Sequence, residues 1–353
     1  MQITIDGRKI EAKPEQTVLE AAREAGIWIP ALCHHPKTGK AGRCRACVVE
    51  VEGQRGLKES CALPVREGMV VNTNTPRVQA VRRMVVELLL SEGHHNCISC
   101  QANGICELQD MAYHLGIERP GVLVDSEPTP VDDSSPGILR EADKCIHCGR
   151  CVTACQNVVV NQVLAFAYRG SHARVVCDDD VPMGESSCVQ CGECVQVCPV
   201  GALTFKQPRQ WLIRPTETKA TKVTCPYCGV GCQIDLYTKN NRYAYAVAHE
   251  GDWRNQPNQA MLCVKGRFGL DFIDSPDRLR TPLVRKDGKL VEATWQEALE
   301  RVAKALKDIK DKHGADSIGV MASAKLTNEE NFVLSRFARA VIGTNNIDHC
   351  ARL

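Results

Sequence analysis

The sequence predicts a multidomain α+β chain that runs into the opening of an alternating α/β domain. Three observations predict it. The chain starts with short runs, MQITI and RKIEA, whose apolar and polar positions alternate as in strands. Its 21 cysteines fall in bursts separated by cysteine-free stretches. After about Pro276 the texture changes to long helical periods around a short apolar run. A length of 353 residues allows two or more domains.

Residues 1–78 form the first predicted domain, small and strand-rich. Two alternating runs flank the turn Asp6-Gly7, a helical TVLEAAREAG follows, and the domain closes near VVNTNTP. From Arg77 to Leu90, the positions Val78, Val81, Met84, Val85, Leu88 and Leu89 recur at helical spacing. They predict an amphipathic helix packed through that face, leading into a cysteine domain at 79–119. The stretch PGVLVDSEPTPVDDSSPG, 120–137, reads as a linker. Residues 138–208 hold two cysteine runs, a break falls near RPTETKAT, and residues 218–275 hold the next cysteine group. In 276–353, TWQEALERVAKALKDIKDKHG predicts a capped helix, DSIGVMAS a buried strand and NEENFVLSRFARAVIG a second helix.

Charge narrows the function classes. With 44 basic against 42 acidic side chains, no basic footprint for nucleic acid stands out. No run approaches 18 apolar residues, so no membrane span is expected. MQITIDGRKI has neither the charged-then-apolar pattern of an export signal nor a twin arginine, so a cytoplasmic location is expected. In that reducing compartment, cysteines bind metal more often than they pair.

The first cysteine group is Cys33, Cys44, Cys47 and Cys61, separated by ten, two and thirteen residues and joined by the loop TGKAGRCRAC. Thiolates are soft ligands for iron, and a glycine-bearing loop lets backbone amides face cluster sulfurs. Zinc is the alternative. The second group, HHNCISCQANGICELQ, supplies only Cys97, Cys100 and Cys106, so a cubane would need a fourth ligand such as a nearby histidine. The third group is two runs, CIHCGRCVTAC and CVQCGECVQVCP, both with two, two and three intervening residues. This is the bacterial two-cluster spacing, in which the fourth cysteine of each run serves the other cluster. One 4Fe-4S cluster would take Cys145, Cys148, Cys151 and Cys198, the other Cys188, Cys191, Cys194 and Cys155. Gln156 stands where the pattern usually has proline. The fourth group, CPYCGVGC with MLCVKGRFG, places Cys225, Cys228, Cys232 and Cys263 beside Gly229 and Gly231, again suiting a 4Fe-4S cluster. GVG does not complete a dinucleotide fingerprint. Cys177 and Cys350 are left over; Cys177 reads as a small buried residue.

From LCHHP through GRCRAC to SCALPV, the first domain resembles the front of the large iron–sulfur subunit of complex I and of related hydrogenases. That implies a β-grasp fold and one 2Fe-2S cluster, with His34 and His35 packed beside it. The second group is similar to diaphorase subunits of NAD-reducing hydrogenases and to NAD-linked formate dehydrogenases, whose histidine ligand sits two residues before the first cysteine. That implies a 4Fe-4S domain ligated by one histidine and three cysteines, with His95 as the histidine and His94 as the alternative. CPYCGVGC and CVKGRFG resemble the small 4Fe-4S domain of molybdenum or tungsten formate dehydrogenases. There Lys265 would correspond to the lysine between cluster and pterin that helps electrons pass.

The whole set, one 2Fe-2S and four 4Fe-4S clusters, is expected to act as an electron wire. The resemblance implies formate oxidation to CO2, or the reverse, at a Mo- or W-bis(pterin guanine dinucleotide) centre in the full-length subunit. No nicotinamide or flavin fingerprint is visible, so the electron partner would be an NAD- and flavin-binding subunit, a ferredoxin or a hydrogenase. The segment FARAVIGTNNIDHCARL aligns with the family stretch that leads to the catalytic selenocysteine or cysteine. The expectation is that no catalytic ligand lies within the chain, that it follows directly after Leu353, and that the frame continues past an in-frame UGA. A non-catalytic adaptor, or an electron-transfer subunit of a complex I-like or hydrogenase assembly, is the alternative.

Overall fold

The structure is a computed structural model describing residues 1–39, 42–122, 128–207 and 213–349. It divides into two compact units, Met1–Lys219 with Tyr237–Lys239, and Ala220–Leu236 with Asn240–Leu353.

The first unit opens on a five-stranded sheet. Its strands are β1 (Gln2–Ile5), β2 (Arg8–Glu11), β3 (Val48–Val51), β4 (Lys58–Glu59) and β5 (Val70–Asn72), in the order β2-β1-β5-β3-β4. β1 and β2 meet through a two-residue turn in which Asp6 (φ 49°) and Gly7 (φ 79°) are both left-handed, the geometry that matches strand twist. The Asp6 carboxylate also accepts from Thr73 N at 2.6 Å, tying the turn to the end of β5. Helix Val18–Glu24 starts at Thr17, whose hydroxyl accepts from Glu20 N while the Glu20 carboxylate takes Thr17 N. Its buried Val18, Leu19, Ala21 and Ala22 share a core with Ile3, Ile5, Val49 and Val71. One helix packed across a mixed sheet is the expected β-grasp arrangement.

The next helix, Pro76–Glu92, differs from expectation in its buried face. Met84 and Leu88 are exposed, and the buried line runs Val78, Arg82, Val86. Arg82 can lie on that line because its guanidinium donates to Ala46 O at 3.2 Å and Val48 O at 2.9 Å. The helix thus clamps the segment that carries Cys47. Helix Glu107–His114 packs beside it.

In the following domain, strand Ile138–Arg140 pairs antiparallel with Leu203–Phe205, and Leu164–Ala167 with Arg174–Cys177. Residues 128–137 of the expected linker are instead fastened to this domain. Asp132 bridges Arg140 through backbone bonds, and its carboxylate accepts from Met183 N at 2.9 Å. Ser135 is buried, with its hydroxyl accepting from Ile138 N. Serine and aspartate can satisfy backbone donors as well as mark loops, which is why composition misled here.

Most residues of the sheet ordered Lys219–Thr224, Gln233–Lys239, Arg242–Ala248 belong to the second unit. A hairpin, Leu283–Lys286 with Lys289–Glu292, precedes helix Trp295–His313, which Thr294 caps. Strand Val320–Ala322 pairs in parallel with Ile347–His349, and helix Asn328–Arg336 lies between them in the chain. That βαβ connection is the expected α/β opening. The strand is not buried as expected: Met321 is 77 % exposed, because among the described residues it has only one neighbouring strand. Cys350 and the last residues to Leu353 lie outside the described residues. No helix among the described residues is long and apolar enough to cross a membrane.

Candidate metal centres

Cys33, Cys44, Cys47 and Cys61 come from three places in the first sheet domain. Cys33 ends the segment after the α-helix, Cys44 and Cys47 precede β3, and Cys61 follows β4. Their sulfurs share hydrogen bonds. The Cys33 thiolate accepts from Cys44 and Cys61 and is held far below its ordinary pKa. Cys44 and Cys61 are driven far above theirs by that same partner, and Cys47, accepting from Cys61, falls to about 7. Lys40 and Ala41 of the connecting loop lie outside the described residues. His34 is buried with Nδ1 3.1 Å from an Arg23 nitrogen, and His35 Nδ1 accepts from Lys37 N at 3.3 Å.

His95, Cys97, Cys100 and Cys106 line one cavity. Burial pushes the Cys106 thiol up to about 11, and the charges of Cys100 and Cys97 add to it. His95 Nε2 is 3.1 Å from Leu89 O. His94 is exposed, is not part of that lining, and donates its backbone N–H to Asp143 O at 3.1 Å. Three residues from other segments complete the cavity wall: Lys144, Val200 and Gly201. A Cβ at position 201 would collide with the Cys100 sulfur, so only glycine allows this approach.

The two runs of the third group fold alike. His147 (φ 50°) and Gln190 (φ 58°) are left-handed, and each donates its N–H to the sulfur two residues earlier, Cys145 and Cys188, at 3.4 Å. Left-handed Gly149 and Gly192 then start short helices, Arg150–Thr153 and Glu193–Gln196. Cys145, Cys148, Cys151 and Cys198 line a largely apolar cavity with Ile146, Leu164 and Val200. Burial raises Cys151 far above its ordinary pKa, followed by the charges of Cys145, Cys148 and Cys198. For Cys194 the corresponding neighbours after burial are Cys191, Cys188 and Cys155. The first cavity thus brings Cys198 of the second run to three cysteines of the first. Gln156 sits in a π-type turn, Ala154–Val158, and donates to Leu164 O at 2.9 Å. Cys177 is fully buried, and an Arg140 nitrogen lies 3.5 Å from its sulfur.

In the second unit, Cys225 N donates to Cys232 O at 2.8 Å. Burial raises both thiols, and each feels Cys228 and Cys263. Gly266 approaches this set closely: a Cβ there would lie 3.4 Å from the Cys225 sulfur. Lys265 is exposed on helix Val264–Phe268, two residues past Cys263.

These sets fit iron–sulfur clusters in their donor chemistry. They offer soft thiols, and burial raises the pKa of several of them, among them Cys106, Cys148, Cys151, Cys194 and Cys225, a cost that a cationic cluster removes. Backbone N–H groups already point at sulfurs, and glycines admit close approach. Among the described residues no three His, Cys, Asp or Glu side chains close into the tight arrangement of a single ion.

Sequence reasoning missed the charged residues between the sets. Arg150 donates to both Glu107 carboxylate oxygens, at 2.6 and 2.7 Å, and to Ala31 O at 2.9 Å. Lys37 pairs with Glu193, with side chains 2 % and 1 % exposed. Val200 lines both the His95 cavity and the Cys145 cavity.

Five family models match consecutive stretches of the chain. They are a 2Fe-2S iron-sulfur cluster binding domain over 1–76, an NADH-ubiquinone oxidoreductase-G iron-sulfur binding region over 82–120 and a 4Fe-4S dicluster domain over 144–202. A molybdopterin oxidoreductase Fe4S4 domain follows over 218–275, then molybdopterin oxidoreductase over 278–353. The chain is 36% identical over 393 residues to "Putative formate dehydrogenase YrhE" of Bacillus subtilis (strain 168), covering 100% of this chain and 40% of that protein. It is also 36% identical over 357 residues to an NADH-quinone oxidoreductase subunit of Rhizobium meliloti (strain 1021), with coverages of 100% and 40%. The chain thus spans about 40% of the length of these curated relatives. A solved NAD+-reducing [NiFe]-hydrogenase chain superposes with a TM-score of 0.54 at 36% identity, over 58% of this chain and 87% of that one.

Proposed function

We propose a formate dehydrogenase from one premise: this chain belongs to the molybdopterin oxidoreductase family and carries the iron–sulfur modules shared with complex I and hydrogenase subunits. In this reading it is the electron-conducting N-terminal part of the catalytic subunit. The observation that carries it is a single chain in which complex I-type cysteine sets are followed by the CPYCGVGC and CVKGRFG set and a βαβ opening.

When bound, the clusters supply one-electron carriers, and a Mo- or W-bis(pterin guanine dinucleotide) centre in the full-length protein supplies two-electron chemistry at formate. The residues of this chain hold and insulate those carriers. Cys33, Cys44, Cys47 and Cys61 would hold the 2Fe-2S cluster. His95 with Cys97, Cys100 and Cys106, the two crossed sets, and Cys225, Cys228, Cys232 and Cys263 would each hold a 4Fe-4S cluster. Apolar walls such as Ile146, Leu164 and Val200 would keep water from the carriers, and Val200 lines two of the sites. Lys265, exposed beside Cys263, would face the pterin.

The test is reduction of the iron–sulfur signals in the full-length protein, followed by electron paramagnetic resonance under anaerobic conditions. Formate should reduce them, and a viologen acceptor should turn over with formate. A second reading, an electron-transfer subunit of a complex I-like or hydrogenase assembly, is favoured by the first unit and by the NADH-quinone oxidoreductase and hydrogenase relatives. Reduction by NADH or hydrogen through a partner, with no response to formate, would establish it instead.

A further inference from the structure

Arg150 and Glu193 occupy equivalent positions in the two runs, each directly between a left-handed glycine and the third cysteine. The repeated backbone gives each half one matched N–H donor, His147 to Cys145 and Gln190 to Cys188, and Leu164 N adds a donor to Cys155 at 3.5 Å; the charged side chains differ more. One half places a buried cation at this position and the other a buried anion. The Arg150 side chain is 3 % exposed, and among the described residues its Nε–H is buried with no acceptor. Four of its five N–H groups belong to the two terminal nitrogens, which serve Glu107, Ala31 O and, at 3.5 Å, Val197 O. A buried Nε–H without an acceptor is costly unless something beside it accepts. Sulfurs lie close by: Arg150 directly precedes Cys151 and bonds the carbonyl before Cys198, and its charge is felt by Cys148 and Cys198 as well as by His34 and Arg23.

We propose that Arg150 is a positioning residue that raises the reduction potential of the cluster at Cys145, Cys148, Cys151 and Cys198 above that of its pseudo-symmetric mate. It does so by donating Nε–H toward the cluster sulfurs and by fixing a positive charge beside them. Reduction adds one electron to the cluster, and a nearby cation with a hydrogen-bond donor stabilises that added charge. Its compensating anion is weaker than it looks, because the Glu107 side chain is 45 % exposed and water screens it. In the other half the near charge is Glu193, and the compensating Lys37 lies in the first domain. Electrons therefore settle on the Cys145 half. That half also shares Val200 with the His95 cavity, and its Cys148 feels Cys33 of the first set.

This inference rests on the proposal that both crossed sets hold 4Fe-4S clusters. The experiment is a redox titration of the full-length protein by electron paramagnetic resonance, with Cys148→Ser used to assign the signal. In Arg150→Gln, the reduced-to-oxidised ratio of that signal at fixed potential should fall at least tenfold, about 59 mV for a one-electron couple. Arg150→Lys, which keeps charge without the Nε donor, should fall by less. An unchanged midpoint with full iron content would overturn the inference, as would an equal shift of every signal. If Arg150→Gln loses iron, Glu107→Gln decides: the signal should move to higher potential, and no move or a downward move would overturn it. Absence of the signal from the unaltered protein would instead overturn the cluster assignment itself.

Discussion

The two cysteine runs of the 138–208 domain are one design used twice, and their differences teach more than their likeness. In both, the spacing forces a left-handed residue before the second cysteine and a left-handed glycine after it, which turns backbone N–H groups onto sulfur. After the fourth cysteine the halves diverge. Cys198 is followed by Pro199, whose carbonyl accepts from Glu107 N at 2.9 Å, while Cys155 runs into a π-type turn held by Gln156. The Cys145 half is wired to the neighbouring modules through Arg150, Val200 and Gly201, and the Cys188 half through the Lys37–Glu193 pair. Ligand geometry is set locally and repeated; connection to other carriers is set by residues that the repeat does not fix.

The strongest way to break this comparison is to remove the crossing cysteines. Cys198→Ala should abolish the same 4Fe-4S signal as Cys148→Ala, and Cys155→Ala the same signal as Cys191→Ala, each with a loss of about four irons. If Cys198→Ala and Cys191→Ala removed one common signal, the halves would not be interlocked. A smaller effect is expected at the buried pair. Glu193→Gln leaves the Lys37 ammonium buried without that carboxylate, costing about 3–5 kcal/mol. Thermal unfolding should show this as a lowered midpoint, with Lys37→Met added to Glu193→Gln recovering much of it; no recovery would mean that the pair is not the cause. Next comes Gly149→Ala, which strains a left-handed position (φ 82°) and crowds Arg43, and should cost about 1–2 kcal/mol. Denaturant titration would read that change. The smallest effect is at Cys177: Cys177→Ala should cost on the order of 1 kcal/mol and leave iron content unchanged. Loss of iron in that variant would make Cys177 a ligand.

Which of these features could be read in the sequence follows from distance along the chain. The proposed cysteine sets could be written from the sequence because most of each lies within about a dozen residues, and the proposed crossing follows from the spacing itself. The capped helix at Thr294 was legible for the same reason, since a cap and its partner are three residues apart, whereas the caps at Thr17 and Thr327 went unread. Arg150 was not, because Glu107 and Ala31 are 43 and 119 residues away. Lys37 and Glu193 are 156 residues apart, and nothing local marks either as buried. Helical spacing located Pro76–Glu92 and put Val78, Val85 and Leu89 on the packed side, but it also counted the exposed Met84 and Leu88 and missed Arg82, since periodicity cannot know that Arg82 finds two carbonyls. In the second unit the pattern for Val320–Ala322 was right in type and wrong in burial, because a parallel strand needs cover on both faces.

The central claim is that this chain holds a row of iron–sulfur carriers, and anaerobic iron and acid-labile sulfide analysis combined with electron paramagnetic resonance tests it most directly. One two-iron and four four-iron clusters predict about eighteen irons per chain, a 2Fe-2S signal and several 4Fe-4S signals. A colourless protein binding a few zinc ions and no labile sulfide would contradict it.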